Sequence, residues 1–266
     1  MPKFAANLTM LFTEHPFLDR FEHAARAGFT AVEFLFPYEH SIAEIRERLS
    51  ANRLELVLHN LPAGDWAAGE RGIACLPDRV AEFREGVAKA IEYARALGVP
   101  RLNCLAGKTP AGHSEKTVRD TFVQNLRFAA KALKEVDIKL LIEPVNTFDI
   151  PGFYLSRTAQ ALAIIDEVTS DPSADNLFVQ YDIYHAQRME GELIATMTTQ
   201  LARIGHIQLA DNPGRHEPGT GEIHYEHVFA ALDRIGYDGW IGCEYKPATT
   251  TEAGLHWLES AQRKST

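Results

Sequence analysis

Residues 79–106 read RVAEFREGVAKAIEYARALGVPRLNCLA, a segment of helical spacing followed by a short apolar run. Apolar residues recur at three- and four-residue steps through Arg79–Leu97, namely Val80, Phe83, Val87, Ala90, Ile91 and Ala94. That spacing predicts one buried face of a helix. Gly98 stands where a left-handed glycine ends such a helix, and the candidate strand Arg101–Ala106 follows. The stretch is therefore one helix–strand unit of an α/β protein.

The same unit repeats along the whole chain. Eight apolar runs are candidate strands: Phe4–Leu8, Ala31–Phe36, Leu54–Asn60, Arg101–Ala106, Lys139–Val145, Leu177–Ile183, Gly205–Ala210 and Gly239–Tyr245. Strands that alternate with helical segments indicate a parallel sheet joined by crossover helices. An open doubly wound sheet and a closed barrel both fit, but the first strand–helix turn lacks the GxGxxG of dinucleotide-binding sheets. Eight units in 266 residues favour a single (β/α)8 barrel domain spanning residues 1–266, since such barrels need about 250 residues.

Turn and cap residues mark the expected helix ends. Gly28, Gly98 and Gly236 each follow an apolar-periodic stretch, as terminating glycines do. Four hydroxyl residues precede helical patterns and are candidate N-caps: Ser41, Ser114, Ser156 and Thr251. The longest connections follow strands and are therefore expected on the catalytic face of the barrel: Leu61–Pro77, Gly107–His113 and Asn212–His224.

Composition excludes several classes of function. The formal net charge is −9 and no run of Lys and Arg stands out, so nucleic acid is a poor partner. No stretch approaches the about 18 apolar residues of a membrane span. The odd count of three cysteines, without a CxxC pair or a secretion signal, predicts a reduced, cytoplasmic protein. There is no GxSxG, P-loop or HExxH motif, which disfavours serine hydrolase, kinase and zincin chemistry.

Four consecutive candidate strands end on a polar side chain. These side chains are Glu143, Asp182, Gln208 and Glu244. One carboxylate at a strand end usually begins a polar loop, but crowded carboxylates at a barrel mouth repel one another and lose hydration. A bound cation removes both penalties. Three carboxylates and one amide oxygen suit Mg²⁺ or Mn²⁺ better than a soft-ligand zinc site, so the pattern predicts one divalent metal ion.

Strand alternation extends this prediction to the neighbouring positions. If the four side chains point inward, so do Gln180 and His206, two residues before Asp182 and Gln208. Both are candidate donors that orient the metal ligands, although satisfied interior polar groups give the same pattern. By the same alternation Cys243 faces the helices and is a packing residue. Glu33 lies within a candidate strand and is interpreted as a buried structural partner.

Three further residues are candidates for substrate binding. His185 follows Asp182 closely and would hydrogen-bond a substrate oxygen or complete the metal sphere. Arg215 lies in the loop after the seventh strand, where a guanidinium can clamp a carboxylate. His59 and Asn60 end the third strand, and His59 would line the mouth of the barrel. For each, a structural or solvent-facing role is the competing interpretation. The loop Leu61–Pro77 is interpreted either as a lid over the substrate or as a packed surface loop.

Long blocks of the sequence resemble the hydroxypyruvate isomerase family of xylose isomerase-like barrels. The blocks cover nearly the whole chain and include AVEFLFPY at 31–38, GDWAAGERG at 64–72, DIYHAQ at 182–187, RHEPGTGEI at 215–223 and GWIGCEYKP at 239–247. The resemblance implies that Glu143 and Glu244 are the acid/base pair and that Asp182 and Gln208 are the remaining metal ligands. It also implies a small hydroxy-oxo acid as substrate and is compatible with a homo-oligomer.

The activity implied by this resemblance is an aldose–ketose-type isomerisation, such as hydroxypyruvate to tartronate semialdehyde, through an enediolate. Related ketose 3-epimerases carry histidine where Gln208 stands, so the amide favours an isomerase. A second branch acts on four-carbon 2-oxo-tetronates, and QLADNPGR at 208–215 looks somewhat more like that branch. Three rivals stay open: a ketose 3-epimerase, a metal-dependent endonuclease for abasic DNA, and a non-enzymatic binding barrel.

Overall fold

All eight candidate strands form, and they close into a parallel barrel in the order β1 to β8. A computed structural model describes residues 2–263 of the chain. The strands are β1 Lys3–Asn7, β2 Ala31–Glu33, β3 Glu55–Asn60, β4 Arg101–Cys104, β5 Lys139–Ile142, β6 Leu177–Asp182, β7 Ile204–Leu209 and β8 Trp240–Cys243. The predicted (β/α)8 fold is therefore confirmed.

Helices follow the strands in the expected alternation. They are α1 Arg20–Arg26, α2 Ile42–Asn52, α3 Val80–Leu97, α4 Glu115–Lys134, α5 Thr158–Thr169, α6 Ile183–Met189, α7 Leu193–Gln200, α8 Tyr225–Ile235 and α9 His256–Arg263. Short 3-10 turns occupy Phe17–Asp19, Pro77–Arg79, Pro172–Ala174, Leu201–Arg203 and Glu252–Gly254. In α3 the buried residues are Phe83, Val87, Ala90 and Ala94, which belong to the apolar face predicted from the sequence.

Most strands end earlier than predicted. Strand β5 ends at Ile142 and β8 at Cys243, so Glu143 and Glu244 are the first residues beyond their strands. Asp182 is the last residue of β6, whereas Gln208 lies one residue before the end of β7. The predicted runs were too long because buried apolar residues continue into the loops, as Leu105 and Ala106 do after β4. The polar side chains thus occupy the positions at which the chain leaves the barrel.

Contacts along the chain define two compact units. One comprises the chain up to Phe34, His40–Val57 and the chain from Asp182 onward. In this unit β1 pairs with both β2 and β8, with Asn7 opposite Glu33 and Ala5 opposite Gly242. Strand β7 also pairs with β8, and Gln208 is opposite Gly242. These registers place Asn7 beside Glu33, whereas Gln208 lies level with Ala5, two residues before Asn7.

The other unit comprises Leu35–Glu39 and Leu58–Tyr181. Here Asn60 of β3 pairs with Asn103 of β4, and Asn103 pairs with Leu141 of β5. The loop Leu61–Pro77 is fastened to the loop after β4, since Cys75 N donates to Ala106 O over 2.8 Å. Gly72 has φ +113°, and a Cβ there would lie 2.3 Å from Leu105 O. These contacts favour a packed loop over a mobile lid.

Two of the four predicted N-caps are confirmed. Ser41 forms a reciprocal capping box with Glu44, and Ser114 Oγ accepts from Thr117 N. Ser156 was a wrong prediction, because α5 begins at Thr158 after the N-cap residue Arg157. Thr251 makes no side-chain cap either. Its Oγ1 instead accepts a hydrogen bond from the buried backbone N–H of Phe12 over 2.7 Å and so joins two segments that are distant in sequence.

The predicted glycine ends are found as left-handed residues. Gly98 ends α3 with φ +72° and Gly236 ends α8 with φ +78°. Gly28 follows α1 with φ +89°. The three cysteines are free thiols with buried side chains. Among the helices that the structure describes, none has the length and apolar character needed to cross a membrane.

Candidate active site

Asp182 links the end of β6 to the start of α6. Its Oδ1 accepts the backbone N–H of Tyr184 over 2.7 Å and that of His185 over 3.2 Å, so the side chain caps the helix. Its Oδ2 is buried and has no hydrogen-bond partner among residues 2–263. Burial raises the pKa of this carboxyl, against the opposing charge of Arg215. A buried carboxylate oxygen without a donor is costly unless a cation is bound there.

His185 lies beside that oxygen. Its Nε2 is 3.7 Å from Asp182 Oδ2, and the imidazole is almost completely buried. Burial lowers the pKa of His185 well below its ordinary value, and the charges of Arg215 and Arg188 lower it further. The imidazole is therefore neutral and able to offer a lone pair. The structure thus places this predicted substrate-binding residue next to the unpartnered oxygen of Asp182.

Glu244 stands at the start of the loop after β8 and pairs with Arg215. The guanidinium Nη2 donates to Glu244 Oε2 over 2.6 Å. Burial raises the pKa of Glu244, while the charge of Arg215 lowers it. The Arg215 guanidinium also lies over the Tyr184 ring, with Cζ 5.3 Å from its centroid. The predicted carboxylate clamp therefore contacts one of the predicted acid/base residues.

Glu143 is held by two amides in the other compact unit. Asn103 Nδ2 donates to Glu143 Oε2 over 2.9 Å, and Gln180 Nε2 donates to the same oxygen over 3.0 Å. The donor role predicted for Gln180 from strand alternation thus has a matching contact. Asn103 was missed, although an asparagine within an apolar strand was its signal. Both amides donate to the same oxygen and therefore fix the orientation of the Glu143 side chain.

Four buried side chains form a group able to hold a metal ion. Glu143, Asp182, His185 and Glu244 each offer one ligand atom, and these atoms lie within 4.8 Å of one another. The unpartnered Asp182 Oδ2 and the hard oxygen donors fit a divalent cation. Three of the four predicted ligands are thus brought together, and His185 joins them. The identity of the ion stays a prediction.

Gln208 contacts a different carboxylate. Its side-chain Nε2 donates a hydrogen bond to Glu33 Oε1 over 2.7 Å. Glu33 is fully buried and also meets His206 Nε2 at 2.6 Å, which confirms the interpretation of Glu33 as a buried structural partner. His206, predicted as a donor that orients the metal ligands, contacts Glu33, which in turn accepts from Gln208. Metal coordination by Gln208 stays a prediction.

His59 lies on a different face of its strand from the inward amides. It pairs in register with Leu102, whereas Asn60 pairs with Asn103, whose amide bonds Glu143. Because successive side chains of a strand alternate between faces, His59 and Asn103 project to opposite faces. His59 Nδ1 lies 3.0 Å from Asn60 O, and burial lowers the pKa of His59 to about 4. A substrate contact by His59 stays a prediction without a structural contact behind it.

Asp211 organises the loop that carries Arg215 and was missed from the sequence. Its carboxylate accepts four backbone N–H groups, those of Asn212, Gly219, Gly221 and Ile223, at 2.9–3.0 Å. Its backbone O also accepts from Arg215 N over 2.9 Å. Aspartate before Asn-Pro-Gly is a turn signal that could have identified this role. The loop is therefore built around one buried carboxylate.

A polar site at the carboxyl ends of a closed (β/α)8 barrel defines a class of enzymes, and the comparisons agree with it. A family model described as a xylose isomerase-like TIM barrel matches residues 21–261, and the chain belongs to this family. Hydroxypyruvate isomerase of Escherichia coli (strain K12) is 61% identical over 97% of this chain and 99% of its own. A 2-oxo-tetronate isomerase of Cupriavidus necator is 51% identical over 97% and 98%. Within the family, the chain is an isomerase of the hydroxypyruvate isomerase group.

A solved structure of similar sequence carries a different name. It is described as an AP endonuclease, family 2, from Brucella melitensis, and it is 43% identical to this chain. The match covers 98% of this chain and 99% of that one, with a TM-score of 0.94. The backbone of this barrel is therefore closely reproduced in a second protein.

Proposed function

We propose that the protein is a metal-dependent isomerase that interconverts hydroxypyruvate and tartronate semialdehyde, or a closely related 2-oxo-tetronate. The buried Asp182 Oδ2, which lacks a donor inside an acidic cluster, carries the metal dependence. The names of the two similar isomerases support the substrate class, and the higher identity to the hydroxypyruvate isomerase favours the three-carbon acid.

Glu143, Asp182, Gln208 and Glu244 would hold the ion, with His185 beside them. Mg²⁺ or Mn²⁺ suits this set because carboxylate and amide oxygens are hard ligands. When bound, the ion would polarise the carbonyl group of the substrate. In Asp182, Oδ1 caps α6, so Oδ2 is the oxygen that would bind the ion.

Glu143 and Glu244 would move the proton between carbons. One carboxylate takes a proton from the hydroxyl-bearing carbon, and that C–H electron pair forms the carbon–carbon double bond of an enediolate. The other glutamate, as the acid, delivers a proton to the former carbonyl carbon. The hydroxyl proton passes to the former carbonyl oxygen, so the product is an isomer of the substrate. The two glutamates end the turnover with their protonation states exchanged, and proton exchange with solvent restores them. The two amides on Glu143 and the guanidinium on Glu244 would hold each carboxylate in place.

Arg215 and His185 would position the substrate. A guanidinium has five N–H donors, so Arg215 can keep its bond to Glu244 and still bind a substrate carboxylate. The neutral imidazole of His185 would hydrogen-bond a substrate hydroxyl.

Two alternative activities share these residues. A ketose 3-epimerase would use the same metal and both glutamates, but the amide at Gln208 favours the isomerase. An endonuclease for abasic DNA is suggested by the name of the similar Brucella melitensis protein. The net charge of −9 weighs against it, because a protein that binds DNA usually presents a basic surface.

Product analysis tests the proposal. The metal-loaded protein is incubated in deuterated water with hydroxypyruvate, with 2-oxo-tetronates, with free ketoses and with abasic DNA, and products are identified by NMR or by gel. We expect an aldehyde product from hydroxypyruvate, and none after chelation of the metal or in the Asp182→Asn variant. Turnover that survives complete chelation would contradict the metal dependence, and epimer formation or strand cleavage alone would overturn the substrate class.

A further inference from the structure

A further carboxylate is buried inside the barrel beside Gln208, one of the proposed metal ligands. Glu33, the last residue of β2, has no exposed surface. Its oxygens accept from Asn7 Nδ2 over 2.9 Å and from Gln208 Nε2 over 2.7 Å, and they lie 2.6 Å from His206 Nε2. The proposed reaction needs no acid or base here, so this carboxylate is unassigned by it.

A glycine in β8, two strands away from β2, leaves room for this carboxylate. A Cβ placed on Gly242 of β8 would lie 2.3 Å from both oxygens of Glu33. Gly242 is in register with Gln208 of β7 and with Ala5 of β1. Any larger residue at 242 would therefore displace the carboxylate from the amide of Gln208. Glu33 thus occupies a defined space, and its position relative to Gln208 is fixed by the sheet.

An ionised carboxylate decides which end of a neighbouring amide faces it. Carboxylate oxygens only accept hydrogen bonds, so the NH₂ end of Gln208 must point to Glu33. Reversal of the amide would place two oxygens in contact inside the barrel. Since NH₂ groups do not bind metal cations and carbonyl oxygens do, the orientation of this amide determines whether Gln208 can be a ligand.

We propose that Glu33 is a positioning residue that holds the Gln208 amide with its carbonyl oxygen available to the metal. This inference rests on the proposed function, in which Gln208 is a ligand. Groups that orient the ligands of a metal change its affinity by about 10- to 100-fold when they are removed.

Asn7 connects Glu33 to Glu244 through its side-chain amide. Its Oδ1 accepts from Thr9 N over 3.0 Å, which turns its NH₂ group toward the carboxylates. That NH₂ group donates to Glu33 Oε1 over 2.9 Å and lies 3.5 Å from Glu244 Oε1. Glu33 is thus connected directly to one proposed ligand and through one amide to another. Its effect on the metal site is expected to exceed that of a buried carboxylate elsewhere.

A donor–acceptor exchange tests the proposal without reference to activity. Binding of Mn²⁺ alone is measured by the EPR signal of the free ion for the native protein and for Glu33→Gln, Gln208→Glu and the double variant. Glu33→Gln can face Gln208 in either orientation, so we expect the dissociation constant to rise about tenfold. Gln208→Glu alone opposes two carboxylates and is expected to lower the melting temperature. In the double variant the new NH₂ donates to the new carboxylate, and Mn²⁺ affinity should return.

Two controls separate the outcomes. Glu14→Gln removes a carboxylate that accepts from Thr251 in the same compact unit and should leave Mn²⁺ binding unchanged. If native protein and Asp182→Asn bind Mn²⁺ equally weakly, the proposed metal site itself is wrong. If native protein binds Mn²⁺ tightly and Glu33→Gln binds it as tightly, only the positioning role is overturned. Failure of the double variant to bind better than Glu33→Gln also counts against that role.

Discussion

Arg215 donates a hydrogen bond to Glu244 across 2.6 Å, so the residue expected to bind the substrate's carboxylate already binds one of the protein's own. Two effects on the pKa of Glu244 oppose each other. Burial raises the pKa of its carboxyl, and the guanidinium lowers it. The ion pair therefore governs how much of Glu244 is ionised and which way its oxygens point.

Removal of this guanidinium should impair both binding and chemistry. We expect Arg215→Gln to lower kcat/KM for hydroxypyruvate by about 10- to 100-fold, since hydrogen bonds to charged groups contribute about 1.5–3 kcal/mol. Arg215→Lys keeps the positive charge but loses the planar guanidinium with its paired donors. Its kcat/KM should therefore lie between the values of the native enzyme and of Arg215→Gln. Steady-state kinetics of the three proteins measure the effect. An Arg215→Gln enzyme with native KM and kcat would show that Arg215 only packs on Tyr184.

The pH dependence of stability should reveal the buried carboxyls when metal is absent. Burial raises the pKa of Glu244 to about 8 from an ordinary value of 4.5, so the folded chain binds this proton more tightly than the unfolded chain. The corresponding stabilisation is complete below the ordinary value and is lost as pH rises through the folded value. We expect the melting temperature of chelated native protein to fall relative to that of chelated Glu244→Gln between about pH 5 and pH 8, a comparison that cancels the opposite contribution of His185. Added Mn²⁺ should restore it most at the upper end, and a flat profile would contradict the prediction.

Asp182→Asn should separate the two functions of this side chain. Asparagine is as good an N-cap as aspartate, so the hydrogen bonds to Tyr184 and His185 can remain. The other oxygen is replaced by an NH₂ group, which cannot bind a cation. We expect Mn²⁺ affinity to fall about 100-fold or more with little loss of stability in the chelated protein. Calorimetric titration and thermal unfolding measure both quantities, and unfolding of the variant would show that the oxygen has a structural partner.

The loop around Asp211 should be sensitive to small changes. Asp211→Ala leaves four backbone N–H groups without their acceptor, and we expect it to cost about 3 kcal/mol of unfolding free energy. Gly221→Ala would place a Cβ 2.1 Å from Asn212 O and should act in the same direction. Urea unfolding gives the free energy. Gly219→Ala serves as the comparison, since no atom crowds its Cβ, although its φ of +92° adds some strain.

Gln208→His is expected to retain the metal, because an imidazole N–H can bond Glu33 while its other nitrogen binds the ion. Gln208→Leu offers neither group and should lower Mn²⁺ affinity about tenfold or more. Mn²⁺ titration compares them. Equal affinity of the native and leucine proteins would remove Gln208 from the ligand set.

The barrel and much of the site were predictable because polar residues interrupt otherwise apolar strands. Glu143, Asp182 and Glu244 stood out for this reason, and the structure gathers them. Strand alternation also identified Gln180, whose amide bonds Glu143. These inferences need only the period of a strand and the meeting of strand ends at one edge.

The contacts made by long side chains were not predictable in the same way. Nothing in the sequence states that Arg215 meets Glu244, because a flexible guanidinium in a loop can reach many acceptors. His59 illustrates the opposite error, since its place at a strand end suggested the mouth but its register gives it the other face. Asn7 and Asn103 were not predicted as partners of the carboxylates. Only a three-dimensional arrangement shows which acceptor each one serves.

The contact between Glu33 and Gly242 has an evolutionary consequence. Two residues from different strands share one volume, in which the absence of a side chain at one position accommodates the carboxylate at the other. In a lineage that acquires alanine at 242, the carboxylate at 33 would have to move or be replaced, and either change would leave the amide at 208 without its present acceptor. Positions 33, 208 and 242 should therefore be inherited together among descendants of this barrel, and substitutions at one should coincide with substitutions at the others.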